Sequence, residues 1–137
     1  MYRYLALGDS YTIGEAVPLH HSFPYQVIQL LRDKDIPFSA PETVAQTGWT
    51  TEELLHHLQK IRLSPPYDFV SLLIGVNDQY RGLEPEIYRS HFEQLLRKSI
   101  EWAGRNPSRV YVLSIPDWGH TPFAATKNTV SISQEID

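Results

Sequence analysis

The run Tyr67-Asp-Phe-Val-Ser-Leu-Leu-Ile74 constrains the fold more than any other stretch. It is β-rich, almost continuously apolar, and ended at once by Gly75. A strand of that composition has no face to offer water, so it belongs inside a sheet covered on both sides. Helices packed on each face of a parallel sheet provide such cover.

The flanking sequence supplies them. Tyr2 to Leu7 reads as a first strand, apolar after Arg3. Gly8 to His21 reads as a loop with Gly14 and Pro18. Ser22 stands where a helix cap is expected, and Phe23, Val27, Leu30 and Leu31 share one face of the helix that follows. Asp33 to Pro37 ends it. Phe38 to Ala45 is a weaker strand, and Pro41 within it suits a sheet edge. After a turn at Gln46-Thr-Gly-Trp49, Thr50 and Glu53 form a capping-box pair for a helix with Leu54, Leu55, Leu58 and Ile61 turned inward. Ser64-Pro-Pro66 stops that helix. Pro85 sits in the first turn of a long helix to about Ala103, with Ile87, Phe92, Leu95, Leu96 and Ile100 on its apolar face. Val110 to Ile115 is a fourth strand, closed by Pro116.

Strand and helix alternate throughout, which implies parallel βαβ units. The expected architecture is one α/β domain over residues 1–137, a three-layer α/β/α sandwich with flavodoxin-like strand order 2-1-3-4. Sheets of this kind often carry a fifth strand. Ser131 to Asp137 reads as the start of a helix, so a last helix or strand is expected beyond residue 137.

Composition removes several function classes. There is no cysteine, which excludes disulfides and thiolate chemistry. A net charge of -4 with 20% charged residues and no basic stripe gives no footprint for nucleic acid. No apolar run approaches the roughly 18 residues of a membrane-spanning helix. The first strand starts almost at Met1 and leaves no room for a signal peptide, so the expected location is the cytoplasm, although a mature secreted form reads the same.

Three short motifs each follow a strand: Gly8-Asp9-Ser10, Gln46-Thr47-Gly48 and Gly75-Val76-Asn77-Asp78. Parallel strands put all three on the carboxyl rim, where open α/β sheets handle small molecules. In the order 2-1-3-4, Ser10 and Asn77 face each other across the switch point, with Gly48 on the other side of Ser10. Acyl transfer asks for such a set. A hydroxyl attacks a carbonyl, and preorganised donors sit near 3 Å from the oxyanion that develops. Ser10 N–H, Gly48 N–H and the Asn77 amide are the candidate donors, and Ser10 the candidate nucleophile.

With these residues in view, Ala6-Leu-Gly-Asp-Ser-Tyr-Thr12 resembles the first block of the GDSL-type, or SGNH, hydrolase family. Ala45-Gln-Thr-Gly-Trp-Thr-Thr51 is similar to its second block and Gly75-Val-Asn-Asp78 to its third. The resemblance implies Ser10, Gly48 and Asn77 as its Ser, Gly and Asn, and a small-molecule ester as substrate. The chemistry implied is that of an esterase, lipase, acyl-thioesterase or carbohydrate deacetylase, with neither metal nor organic cofactor. The family's base is a His in an Asp-x-x-His segment after the fifth strand. Asp117-Trp-Gly-His120 has that spelling but follows strand four. Asp117 and His120 are therefore the secondary candidates, and the catalytic Asp and His are expected beyond residue 137. A second function class stays open: an incomplete hydrolase fragment, or a flavodoxin-like small-molecule binding module.

The other polar residues read more plainly. Asp9 is expected to bond turn N–H groups, and Asp78 to order its loop. His20, His21, His56, His57 and His91 are expected at the surface, with no carboxylates spaced to complete a metal set. Trp49, Trp118 and Phe123 are placed near the rim, as pocket lining or as core. Oligomeric state leaves no trace in the sequence.

Overall fold

Every residue of β1 (Tyr4–Gly8) is buried, and its side chains divide between two cores. Tyr4 and Ala6 pack with Ile28 and Phe38 beneath one helix, whereas Leu5 and Leu7 join Val44, Val70, Leu72, Leu54, Leu58 and Leu95 on the opposite face. Alternation along one strand thus builds two cores, which is what a sheet covered on both sides requires. The computed structural model describes residues 1–118 and 136.

After β1 come α1 (Ser10–Ile13), a 3₁₀ turn over Leu19–His21, α2 (Phe23–Asp33), β2 (Glu42–Ala45) and α3 (Thr51–Leu58). Then follow β3 (Phe69–Leu73), α4 (Val76–Tyr80), α5 (Pro85–Trp102), a 3₁₀ turn over Pro107–Arg109 and β4 (Val110–Val112). The described strands form one parallel sheet in the order β2-β1-β3-β4. Gly8 stands opposite Ala45 and Leu73, so β1 ends level with both neighbours. Helix α2 covers one face; α3 and α5 cover the other. This is the α/β/α sandwich and the strand order the sequence implied.

Several local expectations need correction. Gly8 to His21 is not all loop, because α1 begins at Ser10. Ser22 occupies the cap position of α2, but its hydroxyl donates to the Leu19 carbonyl at 2.8 Å instead of capping. Leu30 is 62% exposed. The buried face of α2 is centred on Pro24 and Ile28, and at about 100° per residue Leu30 lies some 200° round from Ile28. Ile87 is likewise exposed, in the first turn of α5, whereas burial centres on Leu95 and Ser99. Strand β4 is also shorter than Val110 to Ile115, although Leu113 N–H still reaches the Leu72 carbonyl.

The Thr50–Glu53 capping box is present in full: each backbone N–H is met by the other's side chain. Such a cap stabilises a helix start by about 1 kcal/mol. Its position matters more here, because it fixes where α3 begins relative to the turn at Gly48. Among the described residues no helix is long and apolar enough to cross a membrane.

Candidate active site

Strand β1 can turn into α1 only because residue 8 is glycine. A Cβ there would lie 2.0 Å from Thr12 Oγ1 and 2.6 Å from the Leu73 carbonyl oxygen. Asp9 then caps α1. Its Oδ1 accepts from Tyr11 N–H at 3.0 Å, and its carbonyl accepts from Thr12 and Ile13 N–H. Ser10 is the first helical residue, and its carbonyl accepts from Gly14 and Glu15 N–H. The Ser10 backbone is therefore held, while its Oγ makes no hydrogen bond among the described residues. Its N–H is one of the donors a helix start leaves without an intrahelical partner.

The third motif turns the same way. Gly75 caps α4 with φ 134, and a Cβ there would meet the Tyr88 ring at 2.5 Å. Asn77 and Asp78 follow within α4, a helix that the sequence reading did not foresee. Gly48 differs from these two glycines. A Cβ on it would meet only Arg81 Nη2, at 3.9 Å, so its backbone angle of φ 87 and not its space favours glycine.

Helix α4 grips the Gly48 turn at several points. Asn77 Nδ2 donates to the Trp49 carbonyl at 2.9 Å. Asp78 Oδ1 accepts from Thr51 N–H at 2.9 Å, and its Oδ2 from Thr51 Oγ1 at 2.6 Å. Arg81 Nη2 donates to the Gly48 carbonyl at 2.6 Å, and Nη1 to Glu53 Oε1 at 2.8 Å. Asp78 is 2% exposed, so this carboxylate orders the loop from inside the protein. On the other side of α4, Gln79 Oε1 accepts from Trp118 Nε1 at 2.8 Å, and the Tyr80 and Trp118 rings meet edge to face.

A cleft of about 240 Å³ opens between α1 and α4, lined by Ser10, Tyr11, Val76, Asn77, Tyr80 and Trp118. The structure thus brings Ser10 and Asn77 into one cleft. Gly48 is not part of its lining; it directly precedes Trp49, whose carbonyl takes the Asn77 amide. Asp117 is partly buried beside Trp118, and His120 lies outside the described residues, as does Phe123. None of His20, His21, His56, His57 and His91 lines this cleft.

His91 departs from the surface reading. It is half-buried, with Nδ1 3.5 Å from Thr51 Oγ1, behind the Asp78 anchor. His57 packs against the Trp49 ring. Among the described residues, no three His, Asp or Glu side chains come together as a metal set would need.

Asp9 is the electrostatically unusual group. It is 1% exposed, and its Oδ2 has no hydrogen-bond partner among the described residues. Burial pushes its pKa up to about 6, against the Tyr11 N–H bond, and the Asp78 charge adds to the rise. Burial, with the Asp78 charge behind it, also pushes the Tyr88 hydroxyl up to about 12. Burial alone would raise Glu53, but the Thr50 N–H and the Arg81 guanidinium hold it below the usual carboxylate range.

With this geometry in hand, residues 6–136 match the GDSL-like lipase/acylhydrolase family. The chain belongs to that family. Among curated proteins, it is 28% identical over 120 residues to a Vibrio mimicus protein named arylesterase, covering 85% of this chain and 58% of that one. Among solved structures it superposes on AlinE4, an SGNH-hydrolase family esterase, with TM-score 0.69 and 22% identity, covering 84% of this chain and 60% of the other. It also superposes on TesA, with TM-score 0.72 and 16% identity over 97% of this chain and 69% of the other. At those identities the structures speak for the fold. The GDSL-like chain spans less than two thirds of the arylesterase and of AlinE4.

Proposed function

We propose that this GDSL-like domain hydrolyses small esters through an acyl-enzyme on Ser10. The observation that carries the reading is the cleft at the carboxyl rim. It is lined by both Ser10, whose hydroxyl is unengaged among the described residues, and Asn77, at the switch point between β1 and β3. Ser10 Oγ attacks the acyl carbonyl while a base takes its proton. The carbonyl oxygen becomes an oxyanion, met by Ser10 N–H, Gly48 N–H and the Asn77 Nδ2 hydrogen not given to Trp49. The alcohol departs with the proton, and water then releases the acid by the same route.

The base this route calls for is a histidine expected beyond residue 137, since none of the described histidines lines the cleft. His120 in Asp117-Trp-Gly-His120 is the candidate within these residues. The cleft walls are Tyr11, Tyr80 and Trp118, which favours a flat aromatic group on one side of the ester. The relative named arylesterase supports the same choice.

A fluorophosphonate probe applied to the full-length protein is expected to label Ser10, and Ser10→Ala to abolish both labelling and aryl-ester turnover. A folded protein that neither labels nor turns over would overturn the reading. Labelling without turnover would make it an incomplete hydrolase.

A further inference from the structure

We propose that Arg81 is a positioning residue for the Gly48 turn, holding it in the geometry that presents Gly48 N–H to the oxyanion. The inference rests on the ester-hydrolase reading of the Ser10 cleft. It starts from an asymmetry in how the turn is held. Helix α4 grips the segment after Gly48 at buried or short-tethered groups: Asn77 takes the Trp49 carbonyl and Asp78 takes Thr51. Among the described residues, Gly48 itself is gripped by Arg81 alone, through its carbonyl.

Gly48 needs that grip more than its neighbours do. Glycine can populate both halves of backbone space almost equally, and Gly48 sits at φ 87. Its N–H direction is therefore decided by whatever fixes the peptides on either side. Trp49 N–H and the Gly48 carbonyl belong to one planar peptide, whose N–H bonds the Gln46 carbonyl at 3.2 Å within the turn. The Arg81 guanidinium holds the other end of that peptide, tying it to α4 and α3. Asn77 and Arg81 are four residues apart, so they project from the same side of α4 and reach successive carbonyls.

Arg81 is itself aimed. Its second nitrogen bonds Glu53 Oε1, and that oxygen also takes Thr50 N–H and Oγ1 in the capping box. The start of α3, the end of α4 and the Gly48 carbonyl are thus joined through one planar fork. Lysine offers a point charge and cannot hold both partners with fixed angles. Arg81 does not line the Ser10 cleft, so it acts through Gly48 and not on substrate.

The test uses the full-length protein with Arg81→Ala, Arg81→Lys and, as a control, Arg97→Ala, which removes a surface arginine from its pair with Glu93 on α5. Removing an oxyanion donor outright costs on the order of 10²–10³ in kcat. Loosening one should cost less, so Arg81→Ala is expected to lower kcat between roughly 5-fold and 100-fold. KM should stay within about 2-fold, because uniform substrate binding is untouched. Arg81→Lys should recover part of the loss, and Arg97→Ala should change neither constant. The rate of Ser10 labelling by a fluorophosphonate should fall in parallel with kcat. In the NMR spectrum, the Gly48 amide order parameter should drop in Arg81→Ala while that of Thr51 holds.

An unchanged kcat with a rigid Gly48 amide overturns the inference and leaves the nucleophile standing. A loss wholly in KM overturns it too, since Arg81 would then touch substrate. If the wild-type protein neither labels nor turns over, the ester reading fails instead, and with it the assigned purpose of the Gly48 geometry.

Discussion

Replacing Asp9 with asparagine should remove a pH-dependent loss of stability. Asp9 is 1% exposed, and one of its oxygens has no partner among the described residues. Burial, its largest cause, raises its pKa from 3.8 to about 6 in the folded chain. The sign follows from counting protons. Below the unfolded value of 3.8, both states hold the proton and Asp9 contributes nothing. Between there and about 6, the unfolded chain has released a proton that the folded chain keeps, so stability falls as pH rises. Above about 6, the folded protein carries the buried charge, and the loss is complete. At about 1.4 kcal/mol per pH unit, the shift corresponds to a loss of about 3 kcal/mol. The asparagine of Asp9→Asn keeps an oxygen for Tyr11 N–H and never ionises. It also brings an amide NH₂ to a place without a partner, at a cost of about 1–3 kcal/mol that does not change with pH. The clean quantity is therefore the difference between wild type and Asp9→Asn as a function of pH. Urea unfolding followed by tryptophan fluorescence at pH 4, 5, 6 and 7.5 measures it, and the other carboxylates cancel in the subtraction. Part of the loss has already occurred at pH 4, so the variant should gain about 2.4 kcal/mol on the wild type between pH 4 and pH 7.5. A difference that stays flat across that range would refute the account of Asp9 as a buried, poorly partnered acid.

Three further changes probe how the site is held. Asp78→Ala leaves Thr51 N–H buried without its acceptor and should destabilise by about 2–4 kcal/mol in the same unfolding assay. Asp78→Asn, which keeps an acceptor oxygen, should cost less. Gly8→Ala drives a Cβ into Thr12 Oγ1 and the Leu73 carbonyl, so it should destabilise by more than about 2 kcal/mol. Adding Thr12→Ala should restore only part of that loss, because the Leu73 contact is backbone. Tyr4→Phe breaks the buried 2.6 Å bond to Ser71 Oγ, and a double-mutant cycle with Ser71→Ala should return a coupling of about 1 kcal/mol.

The long elements were legible because each carries a period. Leu5 and Leu7 against Tyr4 and Ala6, and Leu54, Leu55 and Leu58 on α3, tell their buried sides in one dimension. Helices α1 and α4 have four and five residues and no apolar repeat to read. A local signal for α1 did exist: Asp9 in the cap position and Gly14 five residues later, in the left-handed conformation that ends helices. The exposure of Leu30 shows the converse limit. The spacing of Phe23, Val27, Leu30 and Leu31 (i, i+4, i+7, i+8) spreads over a wide arc, and packing chose the face through Pro24 and Ile28. The contacts that hold the candidate site were beyond local reading. Asn77 meets Trp49 across 28 residues of chain, and Arg81 meets Gly48 across 33.

Those distances explain why the site needs both a sheet and short helices. The parallel strands bring Gly8, Ala45 and Leu73 level, so the three motifs emerge at one rim. That settles position to within a residue but leaves direction open, since each motif leaves its strand through glycine or a turn. Helix α1 turns Ser10 into the cleft, and α4 turns Asn77 to meet it. Helix α4 faces both ways, with Asn77, Asp78 and Arg81 on the Gly48 turn and Gln79 and Tyr80 on Trp118. A rotation of α4 would therefore move the Asn77 amide, the Gly48 turn and the aromatic wall together. If the proposed ester hydrolysis holds, assays on paired aryl and alkyl esters should show changes to α4 altering rate and preference jointly, whereas changes confined to Tyr11, on the α1 side of the cleft, should alter preference alone.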